Sequence, residues 1–244
     1  MSKISGHNFH FEIEDRIKAK KWDTVSKQSY LDDVELRPRE IDFIASQNRE
    51  SYNPRGNKVA LVVECKYLNH NTTFYFRPNP KDHNAYFLDG YPKEELFRGE
   101  SKFHFFTPEK VAVSIDSDAM GKDSMYEAIM QASKALMYLR QGGQLLYTKG
   151  LFYPLVVYKG TGKISDQDGN ELKDILYYHR YEWRDTKTQD TATRSLYVNI
   201  IHESNVENYL DNVFKREMDN LMEHIFFRNK MQEKNSKPRS NPAR

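Results

Sequence analysis

The stretch VALVVECKYL, residues 59–68, limits what this chain can become more than any other. Its unbroken apolar run from Val59 to Val63 is rich in β-branched residues and fits a buried strand. The run then meets Glu64 and Lys66. Leaving a charge unpaired in a protein interior costs several kcal/mol. These two residues therefore require solvent, a partner or a bound ion.

Side chains alternate along a strand, so Glu64 and Lys66 point one way, about 6.6 Å apart. Val63 and Cys65 point the other way, which makes Cys65 a small buried hydrophobe. The segment RPREIDFIA before it reads as a second strand, opened by Pro38. The turn formers in SQNRESYNPRGNK join the two as an antiparallel hairpin with a long loop. By the same alternation Glu40 and Asp42 share a face, so Asp42 and Glu64 converge at one end of the sheet. Glu-x-Lys also occurs at Glu100-Ser101-Lys102 and Glu171-Leu172-Lys173, but only the first copy ends a strongly apolar strand. Two carboxylates and a lysine at a sheet end suit a hard divalent cation. Mg²⁺ takes one or two protein carboxylates and completes its shell with water and phosphate oxygens. Without a cation the carboxylates repel and one tends to protonate. The lysine supplies three donors and a positive charge for an attacking water or a phosphate.

The spacing of Phe9, Ile13 and Ile17 predicts a short helix over residues 9–20. WDTVSKQSYL follows with loosely extended character, and residues 69–120 read as irregular. Ser124 and Glu127 form a capping box. They open a helix with a stripe at Met125, Ile129, Ala132, Leu136 and Leu139, which Gly142-Gly143 ends. LFYPLVVY and SLYVNII are further strands, and Ser204 with Glu207 caps a long amphipathic helix through Val206, Leu210, Val213, Leu221 and Ile225. This order predicts an α/β sandwich, a central mixed sheet flanked by helices.

At 244 residues the chain is long enough for one large core. We expect a single domain over residues 1–230, its core at about 9–160 and its C-terminal strand and helix at 195–229, with a basic disordered tail at 231–244. A lone cysteine excludes an internal disulfide and fits a reducing, cytoplasmic setting. No run approaches the roughly 18 apolar residues of a membrane span. Other motifs are refused. YKGTGKIS has Ile164 where a phosphate loop needs Ser or Thr, and reads as a hairpin turn. SDQDGNE breaks the calcium-loop spacing and reads as a turn. His7 and His10 lack the companions of a metal site.

Asp42, followed after 21 residues by Glu64-x-Lys66 on an apolar strand, resembles the PD-(D/E)XK nuclease superfamily, whose restriction-endonuclease-like fold is shared with Holliday-junction resolvases. Members commonly carry a glutamate on the helix before the Asp strand, for which Glu12 and Glu14 are the candidates. Many also carry a glutamine on the helix after the E-x-K strand, where AIMQASKALMYL offers Gln131. Glu-Ile stands before Asp42 in place of the proline in the family name.

The resemblance implies a Mg²⁺-dependent endonuclease acting on DNA, with Mn²⁺ as a substitute and RNA or branched DNA as other substrates. Asp42 and Glu64 would hold the metal, and Lys66 would position or activate water. Glu12 or Glu14 would assist, and Gln131 would orient the site or contact substrate. Cutting both strands would suit a homodimer. The rival expectation is a binding or assembly protein that keeps the fold without turnover.

Overall fold

A computed structural model describes residues 8–48, 58–68, 73–78, 111–117, 124–140, 150–184, 188 and 190–215, and every structural statement below concerns these. Helix α1, Phe9–Ala19, forms where the sequence places it, and Phe9, Ile13 and Ile17 are all buried. Two strands precede the apolar one: β1, Asp23–Leu31, and β2, Pro38–Asn48. The apolar run itself lies in β3, Lys58–Leu68. β2 and β3 pair antiparallel as expected, and β1 pairs antiparallel with the far side of β2.

Strand β3 divides two hydrophobic cores by its alternation. Val59, Leu61 and Val63 face the core that holds α1, while Ala60 and Val62 face the core that holds helix α2, Ser124–Arg140. Burying a large side chain such as Ile13 or Leu136 contributes about 1.5–3 kcal/mol, so each helix is held chiefly by its stripe. Strand β6, Gly150–Gly160, runs parallel to β3, and strand β9, Thr191–His202, runs parallel to β6. This α/β arrangement, helices on both faces of a mixed sheet, is the coarse class the element order predicts.

The sheet departs from a plain central layer. Residues 73–78 and 111–117, read as irregular, include β4, Thr73–Pro78, and β5, Val111–Ser117. Two more strands are β7, Lys163–Ser165, and β8, Asp174–Arg184. The order is β1-β2-β3-β6-β9-β8-β5-β4-β7. In the second half of the sheet β7 follows β6 closely in the chain yet pairs with β4 at the end of the order. The core of this half includes Phe74, Phe76, Ile164 and Ile175, which join the α2 side.

YKGTGKIS is therefore not a hairpin turn, since β7 pairs parallel with β4 and not back onto β6. Gly160 is the pivot. It has φ +120°, and a Cβ there would lie 2.2 Å from the Leu68 carbonyl oxygen of its ladder partner. Gly160→Ala is expected to cost at least about 2–3 kcal/mol, read as a lower urea midpoint. SDQDGNE is a turn, tied by Asp166, whose carboxylate accepts from the backbone N–H groups of Asp168 and Asn170.

The last described segment is a 3₁₀ turn, Glu203–Asn205, an α turn, Val206–Asn208, and a π turn, Tyr209–Phe214. It packs on the α1 side through Val206, Tyr209, Leu210 and Phe214. Arg16 of α1 reaches across to Glu207 and to the Glu203 carbonyl. Ser204 falls inside the 3₁₀ turn and the α turn takes Asn205 as its N-cap without a side-chain bond, so the expected Ser204–Glu207 capping box does not form. The expected stop at Gly142-Gly143, the helix beyond Lys215 and the basic tail lie outside the described residues.

Candidate functional site

The strand pairs place Asp42, Glu64 and Lys66 where a regular ladder gives way. The β2–β3 register runs to Phe43↔Val63, so Asp42 and Glu64 come just beyond its last pair. On the other side of β2 the pairs Ser26↔Phe43 and Gln28↔Ile41 pass over Lys27 and Asp42, and Lys27 has φ +52°. Alternation breaks here as well: Ile41 and Ile44 both face the α2 side, while Phe43 faces α1. Counting residues along β2 thus does not give the direction of Asp42.

Side chains replace ladder bonds at this point. Asp42 Oδ2 accepts from the Cys65 N–H at 2.7 Å. The Glu64 carboxylate receives the backbone N–H of Asp42.

The electrostatics follow from burial. Glu64 is 7% exposed, and its Oε2 is buried without a hydrogen-bond partner. Burial pushes its carboxyl well above the ordinary range, and the Asp42 charge pushes it further, against the pull of Lys66. Burial also raises Asp42, opposed by the Cys65 N–H, His10 and Lys66. The three sequence-predicted charges thus act on one another. Lys66 Nζ lies 3.7 Å from Glu127 Oε2 at the start of α2. Burial, followed by the charges of Asp42, Glu64 and Glu14, raises the Cys65 thiol, which makes it a poor nucleophile.

A divalent cation fits this donor set. The unsatisfied Glu64 oxygen beside a second carboxylate is a hard-oxygen environment, the type Mg²⁺ or Mn²⁺ takes. Among the described residues no group of three or more His, Cys, Asp or Glu is arranged to hold a metal ion. A cation here would rely on two carboxylates, completed by water and ligand oxygens.

The helix candidates separate clearly. Glu14 is 2% exposed and fully engaged, accepting from Thr24 Oγ1 at 2.6 Å, Ser26 Oγ at 2.8 Å and Lys18 Nζ at 2.9 Å. Burial alone would raise its carboxyl, but these bonds outweigh it and hold the group below its usual value. Glu14 thereby ties α1 to β1. Glu12 is exposed and pairs with Lys159 of β6 at 3.0 Å. Gln131 lies on α2 with its Oε1 buried and without a hydrogen-bond partner. One turn before it Glu127 meets Lys66, and three residues after it Lys134 meets Asp32. Gln131 thus sits between two points where α2 is tied to the sheet.

Four neighbours lie outside the expected site residues, among them His10, which the sequence offered only as a refused metal ligand. His10, one turn before Glu14, has its Nε2 buried without a hydrogen-bond partner, and its ring acts on Asp42. Tyr30 of β1 is 3% exposed with an unpartnered hydroxyl. Burial, Asp32 and Glu64 together push that hydroxyl above its ordinary value, against Arg39. Asp32 and Asp33 are both buried and share the Lys134 ammonium, at 2.9 and 3.4 Å. The adjacent acids in YLDDVELR were the available signal, but nothing local to them points at a lysine on a distant helix.

No protein-family model matches the chain, and neither a curated protein nor a solved structure matches it. Among the described residues no helix is long and apolar enough to cross a membrane.

Proposed function

We propose that this chain is a divalent-metal-dependent nuclease that hydrolyses phosphodiester bonds in DNA, on a restriction-endonuclease-like arrangement of α1, the β2–β3 hairpin and parallel β6. One observation carries the reading. Glu64 is a carboxylate kept in a sheet interior with an unsatisfied oxygen, directly beside Asp42. A protein that holds two such groups together against burial and mutual repulsion has a use for a cation between them.

In this reading Asp42 and Glu64 hold Mg²⁺ or Mn²⁺. When bound, such a cation polarises the phosphate and acidifies water. Lys66 orients the attacking water or meets charge developing on the phosphate. Its contact with Glu127 at 3.7 Å is loose enough to be exchanged for a phosphate oxygen. Gln131 offers a buried carbonyl oxygen as an acceptor for that water. Glu14 fixes α1 against the sheet and so keeps His10 beside Asp42. Glu12, exposed and paired to Lys159, stays outside the reaction.

The test is a panel of linear duplex, branched, single-stranded DNA and RNA substrates, each with Mg²⁺, Mn²⁺ or EDTA. Metal-dependent cleavage that EDTA abolishes is expected, and Lys66→Ala should lower its rate by about 10²–10³. Calorimetric titration that finds no Mg²⁺ or Mn²⁺ binding would overturn the reading and favour a binding or assembly protein.

A further inference from the structure

Glu127, Gln131 and Lys134 recur along α2 at helical spacing, so they lie on one face of it. A contact at each end turns that face to the sheet. Glu127 meets Lys66 of β3 at 3.7 Å, and Lys134 meets Asp32, just past β1, at 2.9 Å. Gln131 lies between them on the helix. On the sheet, Glu64 and Tyr30 each stand two residues inward from one of these contacts. Tyr30 belongs to the core on the α2 side, and Glu64 continues the alternation by which Ala60 and Val62 face that core. The seam between helix and sheet thus holds three buried oxygens without a hydrogen-bond partner: Tyr30 Oη, Glu64 Oε2 and Gln131 Oε1. The charges of Asp32 and Glu64 both act on the Tyr30 hydroxyl, so it reaches toward the Glu64 carboxylate from the Asp32 end.

A buried hydroxyl without a partner lowers stability, and phenylalanine would fill the same place without that cost. The hydroxyl therefore has a use outside folding. Burial and the neighbouring acids hold its proton in place, which makes it a donor. Its ladder partner Arg39 is turned to Asp32 and Glu35, and Lys66 is turned to Glu127. A carboxylate that ligates a metal is commonly hydrogen-bonded from its far side, which fixes its orientation and strengthens it as a ligand. Glu64 has capacity for this, because a carboxylate carries about four lone-pair sites and only the Asp42 N–H is directed at it.

We propose that Tyr30 is a positioning residue of the cation site: its hydroxyl donates a hydrogen bond to the Glu64 carboxylate while Glu64 and Asp42 hold Mg²⁺ or Mn²⁺. This role rests on the nuclease reading for its cation, and it is read out by binding and stability instead of cleavage.

Mn²⁺ is titrated calorimetrically into the full chain and into Tyr30→Phe, and both proteins are melted in EDTA. Tyr30→Phe should melt no lower than the parent in EDTA, because the ring stays and only an unpartnered hydroxyl is lost. Its Mn²⁺ dissociation constant should rise by about ten- to a hundredfold. Equal Mn²⁺ affinity in the two proteins would overturn the role of Tyr30 and leave the Asp42–Glu64 site standing. A variant that melts several degrees lower in EDTA would also overturn it, since weaker binding would then report a loosened fold. A parent that takes up no Mn²⁺ would overturn the nuclease reading and the role of Tyr30 with it.

Discussion

Glu64→Gln should abolish divalent-metal binding and cleavage while making the metal-free protein more stable. The two effects have one cause. Glu64 is nearly sealed from water, has an oxygen without a partner and faces the Asp42 charge. An amide of the same shape removes the repulsion and the cost of burying a charge, for an expected gain of about 1–3 kcal/mol. It also removes the anionic oxygen a hard cation needs.

Chemical denaturation in EDTA measures the gain, and a Mn²⁺-dependent rise in the melting temperature measures the loss. A metal present at a hundred times its dissociation constant adds about 2.7 kcal/mol to the parent, and the variant should show none of it. A variant that is destabilised in EDTA yet still gains stability from Mn²⁺ would contradict the assignment.

The pH dependence carries the same signature. Glu64 and Asp42 have folded-state carboxyls raised above their ordinary values of 4.5 and 3.8. In that raised window the native state keeps protons the unfolded chain has lost, so the stability of the metal-free protein falls as pH rises through it. Glu14 and Asp32 have the opposite sign. Their carboxyls are lowered from 4.5 and 3.8, so their contribution is present above those values and lost as pH falls below them. Metal-free stability should therefore peak in mild acid and decline toward neutrality. Glu64→Gln should flatten the decline and leave the acid limb intact.

The second large effect is Lys134→Met, which is expected to destabilise the fold by about 3–5 kcal/mol. Its ammonium lies 2.9 Å from both oxygens of Asp32 and 3.4 Å from Asp33 Oδ1, in a nearly buried setting. Burial alone would raise the Asp32 carboxyl. The N–H groups of Glu35 and Val34, with Lys134, outweigh that and keep it ionised. Removing the lysine leaves two buried acids, with Asp33 Oδ2 still holding the Arg184 N–H. For a chain of this size the loss is on the order of a 10 °C drop in melting temperature. Adding Asp32→Asn should return part of it, because an amide oxygen still accepts the two backbone bonds. If Lys134→Met melts within a degree or two of the parent, the cluster is not holding α2 to β1.

Local patterns were legible wherever neighbours in sequence were also neighbours in space. The Phe9-Ile13-Ile17 stripe, the α2 stripe and the apolar run of β3 each name their buried face, since helical and strand periods follow from the backbone alone. The β2–β3 hairpin followed from its turn formers. Strands β4 and β5 escaped notice because their apolar runs are short and gain their pairing from partners far along the chain.

What the sequence determined by itself was the pairing of opposite charges with a greasy strand, and hence that Glu64 and Lys66 would need an explanation. Tertiary structure alone decided which helix carboxylate is buried and which is exposed. It also decided where alternation breaks around Asp42, and that Lys134 answers two acids about a hundred residues away. The physical reason is range. Period and propensity act within a few residues, whereas desolvation and ion pairing depend on what the whole chain folds around a group.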